Sequence, residues 1–321
     1  MRIYRHYAEI PDSRRGGVVA LGNFDGLHIG HQAVIGGAIR HARELGRASG
    51  VMTFEPHPRT LFVPDSPPFR LTPFRIKARL IEAMGVDYLL MQHFDRAFAS
   101  HSAESFVDEV LVGGLGVSSV VVGYDFAFGQ GRGGSLALLQ ERAQQGQFGL
   151  ITVGAQCAAD GRTYSSQLIR QSLVDGHPEN AFGLLGRAWE IERRVEPGDA
   201  RGRLIGFPTA NVDLADYLRP KVGVYAVRAG VDRGGATEWH DAVANLGHRP
   251  TFVKKDLVLE AHLFGFDGDL YGRHLRVALH RYLRAERKFD GIEQLKTQIA
   301  LDCQEARAFF AAAKSIEAVV R

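Results

Sequence analysis

Two kinds of hydrophobic patterning, one after the other, predict an α/β domain followed by an antiparallel β domain with a terminal helix. In the first half, short apolar runs alternate with stretches of helical period, as in a parallel sheet with helices on both faces. In the second half, strand-like runs are broken by Gly, Pro and Asp, with no helical stretch until the C-terminus, as in an antiparallel barrel or sandwich. The character changes near Gly183, which assigns residues 1–183 and 184–321 to two domains.

Each element follows from a local signal. Residues 18–22 form a short apolar run, then a Gly-rich turn, then a helical stretch over 32–45. Residues 50–54 read as the next strand. Residues 72–84 read as a helix, with Pro73 suited to its first turn. A strand over 88–92 precedes a helix over 103–112 with Ser102 as N-cap. β-Branched residues make a strand of 119–123, followed by a helix over 135–144 and a fifth strand over 149–153. A last helix covers 165–173. In the second half, strands are expected over 188–195, 223–231, 238–244, 257–264 and 275–282. Asp290 and Glu293 make a capping-box-like start to the terminal helix. Ile292, Leu295, Ile299, Cys303, Ala306, Phe310 and Ala313 then fall on one face.

Composition excludes several classes. The chain has 321 residues, 45% hydrophobic and 23% charged, ordinary for a globular protein and wrong for a disordered chain, a collagen or a coiled coil. A net charge of +3 argues against a nucleic-acid partner, which usually requires a clear basic surplus. The first 183 residues carry 17 basic and 17 acidic side chains, so the whole surplus lies in the second half. Cys157 and Cys303 are the only cysteines and form neither a disulfide framework nor a C-x-x-C motif. No apolar run approaches the ~18 residues of a membrane span, and the N-terminus lacks a signal-peptide core. The expectation is a cytoplasmic protein without a membrane partner, a monomer or transient homo-oligomer.

The first chemical candidate is Gly22-Asn23-Phe24-Asp25-Gly26-Leu27-His28-Ile29-Gly30-His31, between a strand and a helix. Glycines at 22, 26 and 30 allow close backbone approach to a ligand. A helix N-terminus offers free N–H groups and a positive dipole end to phosphate. His28 and His31, three apart, can face one point there and stabilise a phosphoryl-transfer transition state. The competing reading is a pair of structural histidines; a zinc site is weaker for want of further ligands. Gly129-Gln130-Gly131-Arg132-Gly133-Gly134 satisfies G-x-G-x-x-G, but its strand comes fourth and Asp160, the nearest acidic residue, lies past the following strand. It is read as a mobile loop. No P-loop motif is present.

G-N-F-D-G-x-H-x-G-H resembles the signature of the nucleotidylyltransferase superfamily in the form found in bacterial FAD synthetases. Thr53-Phe54-Glu55-Pro56-His57-Pro58-Arg59 is similar to that family's T-F-x-P-H-P-R, and Val121-Val122-Gly123-Tyr124-Asp125-Phe126-Ala127-Phe128-Gly129 to its V-V-G-x-D/N-F-x-F-G. Ser165-Ser166-Gln167-Leu168-Ile169-Arg170 is similar to S-S-T-x-I-R, with Gln167 in place of Thr. Ser165 and Ser166 also suit N-capping.

The second candidate is Gly206-Phe207-Pro208-Thr209-Ala210-Asn211. Thr and Asn after a Gly-Phe-Pro turn supply hard oxygen donors for Mg²⁺ and its phosphates. The competing reading is a turn whose side chains satisfy its own backbone. The segment resembles the riboflavin kinase signature G-F-P-T-A-N. Its companions follow in order: Gly223-Val224-Tyr225-Ala226, Asn245-Leu246-Gly247-His248-Arg249-Pro250-Thr251-Phe252, Glu260-Ala261-His262, Asp269-Leu270-Tyr271-Gly272, and Leu283-Arg284-Ala285-Glu286-Arg287-Lys288-Phe289.

Together the motifs resemble the bifunctional bacterial riboflavin kinase/FAD synthetase family. The resemblance implies a Rossmann-like nucleotidylyltransferase sheet and a riboflavin-kinase β-barrel. It implies phosphorylation of riboflavin by ATP to FMN in the barrel, then adenylylation of FMN by a second ATP to FAD and pyrophosphate in the α/β domain. Mg²⁺ would serve both steps, and FMN and FAD would be products rather than redox cofactors. His28 and His31 would stabilise the adenylyl-transfer transition state, helped by His57 and Arg170. Gly22, Asn23, Phe24, Asp25, Asp125, Ser165 and Ser166 would shape the ATP and flavin sites. Glu260 would be the kinase base, since a ribityl hydroxyl needs one to attack phosphate. Thr209 and Asn211 would hold the metal, and with Gly206, Pro208, Gly223 and Tyr225 would bind ATP and flavin. Rival readings are another nucleotidylyltransferase with an accessory barrel, a single-strand-binding barrel, and an NAD-dependent oxidoreductase using the 129–134 loop.

Overall fold

The computed structural model describes the chain except residues 159–160, 199–201, 203–204, 233, 235, 249–256 and 320–321, with side chains as far as residue 313. Asp160 and the motif residues Arg249 to Phe252 therefore lie outside the described residues. Two compact units divide the chain: residues 1–67 with 72–166, and residues 68–71 with 167–321.

The first unit holds a six-stranded parallel sheet. Its strands are β1 (Arg2–Tyr4), β2 (Val18–Leu21), β3 (Ser49–Glu55), β4 (Tyr88–His93), β5 (Ser119–Gly123) and β6 (Gly149–Val153), ordered β1-β4-β3-β2-β5-β6. Successive residues alternate between two cores, which is what helices on both faces require. Val18 and Ala20 join Val34, Ile35 and Ala38 of α1 (Ile29–Leu45) on one face. Val19 and Leu21 join Val107, Val110 and Leu111 on the other. Short helices α2 (Pro58–Phe62), α3 (Phe74–Ala83), α4 (Arg96–Ala99) and α5 (Ala103–Ser105) follow in order, and α6 (Leu136–Gln144) precedes β6.

Three local differences from the sequence expectation have physical causes. β1 is a three-residue, mostly exposed edge strand paired with β4, too short for a visible alternation. The expected helix over 103–112 is a turn of α-helix that continues as a π-helix over Phe106–Gly114, whose wider turn brings Phe106, Val107, Val110 and Leu111 to one core. Pro73 stands at the N-cap of α3 rather than inside its first turn. The glycine-rich segment after β5 is a loop, in which Phe128 and Gly134 exchange two backbone hydrogen bonds of 3.1 and 2.8 Å.

The second unit begins with α7 (Ser166–Val174), whose first residue belongs to the first unit, and α8 (Pro178–Leu185). An antiparallel sheet follows: β7 (Trp189–Arg194), β8 (Ala210–Asp213), β9 (Gly223–Asp232), β10 (Thr237–His248), β11 (Leu257–Leu263) and β12 (His274–Arg284), ordered β7-β12-β9-β10-β11-β8. Its edges meet where Glu196, just past β7, donates its N–H to the Asn211 carbonyl at 2.9 Å, which curls the sheet into a barrel. The terminal helix α9 (Ile292–Val319) packs Cys303, Ala306 and Phe310 against β9 and β10, while Ile292 is exposed. At its start the Asp290 N–H is met by Gln294, not by Glu293.

Candidate active sites

In an open parallel sheet, ligands bind at the carboxyl ends of the strands, where the order reverses. Here that point lies between β2 and β5, with the 22–31 loop leaving β2, His57 following β3 and Asp125 following β5. Phe24 and Leu27 hold positive φ (47° and 45°), and so does Gly26 (90°). His28 is the N-cap of α1, its Nδ1 accepting from the His31 N–H at 3.3 Å. A neutral ring must then carry its hydrogen on Nε2, a donor. The His28 and His31 rings stack with centroids 3.6 Å apart, and Phe24 meets His31 edge-on at 5.3 Å. The glycines serve this stack. A Cβ at Gly30 would lie 3.1 Å from the His28 ring, and one at Gly22 would lie 2.9 Å from the Phe24 ring.

The loop is pinned by side chains from three other places. Thr72 donates its N–H to Asp25 Oδ1 at 2.9 Å and accepts the Gly26 N–H at 2.8 Å. Ser166 Oγ donates to the Asp25 carbonyl at 2.7 Å, so this serine holds the loop. Lys77 Nζ and Thr53 Oγ1 both donate to the Asn23 carbonyl, at 2.8 and 3.1 Å. His57 caps α2 by accepting the Arg59 N–H and is almost wholly buried. Ser165 is half-buried just before α7, and Asp125 is exposed. Arg170 belongs to the second unit, where its Nε donates to the Phe69 carbonyl at 2.9 Å and its guanidinium lies over the Phe69 ring. The sequence signature contained neither Thr72 nor Lys77. Leu-Thr-Pro at a helix start was legible only as helix entry.

The second unit carries a cavity of about 740 Å³ whose lining includes Thr209, Asn211, Glu260, His262, Asn245 and Arg284. Asn211 and Glu260 are direct cross-strand partners on β8 and β11, which brings two motifs 49 positions apart in the chain into register. Val224, Val243, Val258, Leu295 and Phe289 form apolar walls. Pro208 and Thr209 also line a smaller adjoining cavity of about 250 Å³ with Asp267, Asp269 and Tyr271. Thr209 is thus shared by both. Gly206 holds φ 88° in the turn. His262 Nδ1 donates to the Pro208 carbonyl at 2.8 Å and its ring meets Phe207 edge-on, so it braces the Gly-Phe-Pro turn.

Gly223 and Tyr225 flank Val224 and are not among the lining residues. Gly223 sits at φ 148°, and a Cβ there would run into the Arg284 carbonyl. Tyr225 is buried, its hydroxyl donating to the Lys221 carbonyl, and burial pushes its pKa up. A bidentate pair from Arg284 to Asp302, at 2.8 and 2.6 Å, ties β12 to α9 at the cavity wall. Asp302 was missed because it sits on the terminal helix, far from every motif.

Comparison with known proteins follows the same division. The chain matches the FAD synthetase family over residues 10–167 and the riboflavin kinase family over residues 185–310. It is 42% identical to the bifunctional riboflavin kinase/FMN adenylyltransferase of Escherichia coli (strain K12), over 94% of this chain and 95% of that one. It is 40% identical to the protein of the same name from Bacillus subtilis (strain 168), with the same coverage. A crystal structure from Streptococcus pneumoniae, described as a macrolide-efflux protein, superposes with TM-score 0.83 at 30% identity, over 95% of this chain and 98% of that one. Among the described residues no helix is long and apolar enough to cross a membrane.

Proposed function

The chain belongs to the family of bifunctional riboflavin kinases/FMN adenylyltransferases, and from that premise we propose how its residues divide the two reactions. The enzyme phosphorylates riboflavin with ATP to FMN, and adenylylates FMN with ATP to FAD.

In the kinase step, the large cavity takes the flavin ring between its apolar walls, with the ribityl end toward Glu260. The smaller cavity brings the phosphate end of ATP to Thr209. Glu260 accepts the proton of the 5′-hydroxyl, whose pKa is far above 7, as that oxygen attacks the γ-phosphate of ATP and ADP leaves. Gly223 and Tyr225 hold the Val224 wall, and Gly206 with Pro208 sets the turn that presents Thr209. Thr209 and Asn211 offer neutral hard oxygens of the kind Mg²⁺ takes alongside phosphate oxygens, and both line the cavity of Glu260, so the residues present fit the ion. When bound, Mg²⁺ would offset phosphate charge. The observation that carries this assignment is the convergence of Thr209, Asn211 and Glu260 on one cavity.

In the adenylyl step, a phosphate oxygen of FMN, already ionised at pH 7, attacks the α-phosphate of ATP and expels pyrophosphate. No base is required. His28 donates through Nε2–H to the charge that develops, and His31 is held against it by the stack. Gly22 to Asp25 set the phosphate loop. His57 and Ser165 complete the ATP side, Ser166 steadies the loop through the Asp25 carbonyl, and Asp125 lies on the flavin side. We assign the adenylyltransferase to 1–183 and the kinase to 184–321. The same reading places the enzyme in the cytoplasm, as a monomer or transient homo-oligomer with no nucleic-acid partner.

Flavins separated after incubation with riboflavin and MgATP test the division. Wild type should yield FMN, then FAD, and chelation should stop both steps. His28→Ala should stop at FMN, with adenylylation down by about 10²–10³. Glu260→Ala should make little FMN from riboflavin, down by about 10²–10⁴, yet convert supplied FMN to FAD. Equal loss of both steps in folded Glu260→Ala would refute the assignment.

A further inference from the structure

Beneath the phosphate loop of the first unit lies a lysine that no motif contains. Lys77, on α3, is fully buried. Its ammonium donates to the Asn23 carbonyl at 2.8 Å and to Thr53 Oγ1 at 3.3 Å, and lies 3.5 Å from the Glu55 carboxylate. Thr53 Oγ1 donates to the same carbonyl at 3.1 Å. Two donors, from α3 and the carboxyl end of β3, thus close on one backbone oxygen at the head of the loop.

A buried ion pair is poor value if stability alone is at stake, because apolar side chains of similar volume usually serve as well or better. What the pair does here is orient a peptide. The Asn23–Phe24 bond is trans, and only Glu55–Pro56 is cis among the described residues. In a trans peptide the C=O and the following N–H point in opposite directions. With the Asn23 carbonyl drawn onto the ammonium, the Phe24 N–H faces away from the buried side. Five residues before Lys77, Thr72 holds the next two positions of the loop, Asp25 and Gly26. The segment from Thr72 into α3 thus fixes the loop from Asn23 to Gly26, while His28 fixes its far end on α1.

We propose that Lys77 is a positioning residue for adenylyl transfer, holding the Asn23 peptide so that the loop's backbone N–H groups meet the triphosphate of ATP. This rests on the reading of the 22–31 loop as the phosphate site. Lys77 touches no reacting atom. It acts through the Asn23 carbonyl.

The test separates ATP from FMN. Lys77→Met leaves the Glu55 carboxylate without the ammonium, so Lys77→Met/Glu55→Gln, which removes both charges, is made beside it. Adenylylation kinetics are measured against ATP at saturating FMN. FMN affinity is measured by flavin fluorescence quenching. In the double variant, kcat/KM for ATP should fall by at least about tenfold, with FMN affinity and riboflavin kinase activity within about twofold of wild type. Thr53→Val, which removes only the hydroxyl donor, should lower the same ratio by a smaller factor. Unchanged ATP kinetics in the double variant would overturn the proposal. So would parallel loss of ATP kinetics and FMN affinity, the mark of a merely structural role. His28→Ala, run in parallel, tests the underlying reading: full adenylylation by that variant removes the phosphate site itself, whatever Lys77 does.

Discussion

His28 and Gly30 illustrate how the sequence gives only part of the reason for a motif residue. Glycines in such a loop are expected to admit a ligand, yet Gly30 makes room for the motif's own imidazole, 3.1 Å from where a Cβ would stand. Replacing it with Ala forces the His28 ring to shift by a few tenths of an ångström. On the role proposed for His28, small misplacements are costly, so Gly30→Ala should lower FMN adenylylation by about tenfold and leave riboflavin phosphorylation unchanged. Steady-state rates of the two steps in one preparation would check this. His28, Thr209, Asn211 and Glu260 could be proposed from the sequence because each sits in a compact motif. Lys77, Thr72 and Asp302 could not, because each acts across the fold on a group remote in sequence.

At the scale of elements, the packing of α9 on the barrel makes its own prediction. His280 on β12 faces Phe310 of α9, with ring centroids 5.4 Å apart. Burial, and then the Arg228 guanidinium, push its pKa down to about 4, against smaller opposing pulls from Asp241 and Glu190. The unfolded chain therefore binds a proton that the folded chain refuses between about pH 6.5 and 4. Stability from this site is complete above about pH 6.5 and is lost as pH falls toward 4, by up to about 3 kcal/mol. Both tryptophans, Trp189 and Trp239, lie in the second unit, so their fluorescence follows it alone. Urea unfolding at pH 7.5 and 5 should show the loss in wild type and a smaller one in His280→Phe. Elements absent from the sequence reading had weak or divided signals. β8 is four residues long and coincides with a motif that reads as a turn. α8 has Pro178 in its first turn and Gly186 in the left-handed region at its end, a usable start and stop, but is only eight residues long.

For the whole molecule, composition and connectivity have to be kept apart. The division near Gly183 follows the change of patterning, whereas compactness divides the chain at Ser166 and Gln167 and adds residues 68–71 to the second unit. Helix α8 packs on β7 and β12, with Ala181, Leu184 and Leu185 buried. The indole N–H of Trp189 donates to the Leu71 carbonyl at 2.8 Å. A fragment of 167–321 should fold and phosphorylate riboflavin, at a cost of roughly 4 kcal/mol for the hydrogen bonds that Phe69, Arg70 and Leu71 make to Arg170, Asp216, Leu218 and Trp189. A fragment of 184–321, stripped of α8, should expose that apolar face and aggregate; light scattering and kinase activity would compare them. The sequence by itself determined the fold class, because periodicity and turn chemistry are local, and the resemblance of its motifs pointed to the two activities in their order. The tertiary structure alone decided which distant residues share a site. Asn211 meets Glu260 through strand register, and Lys77 reaches Asn23 through burial. Neither relation exists until the chain has packed.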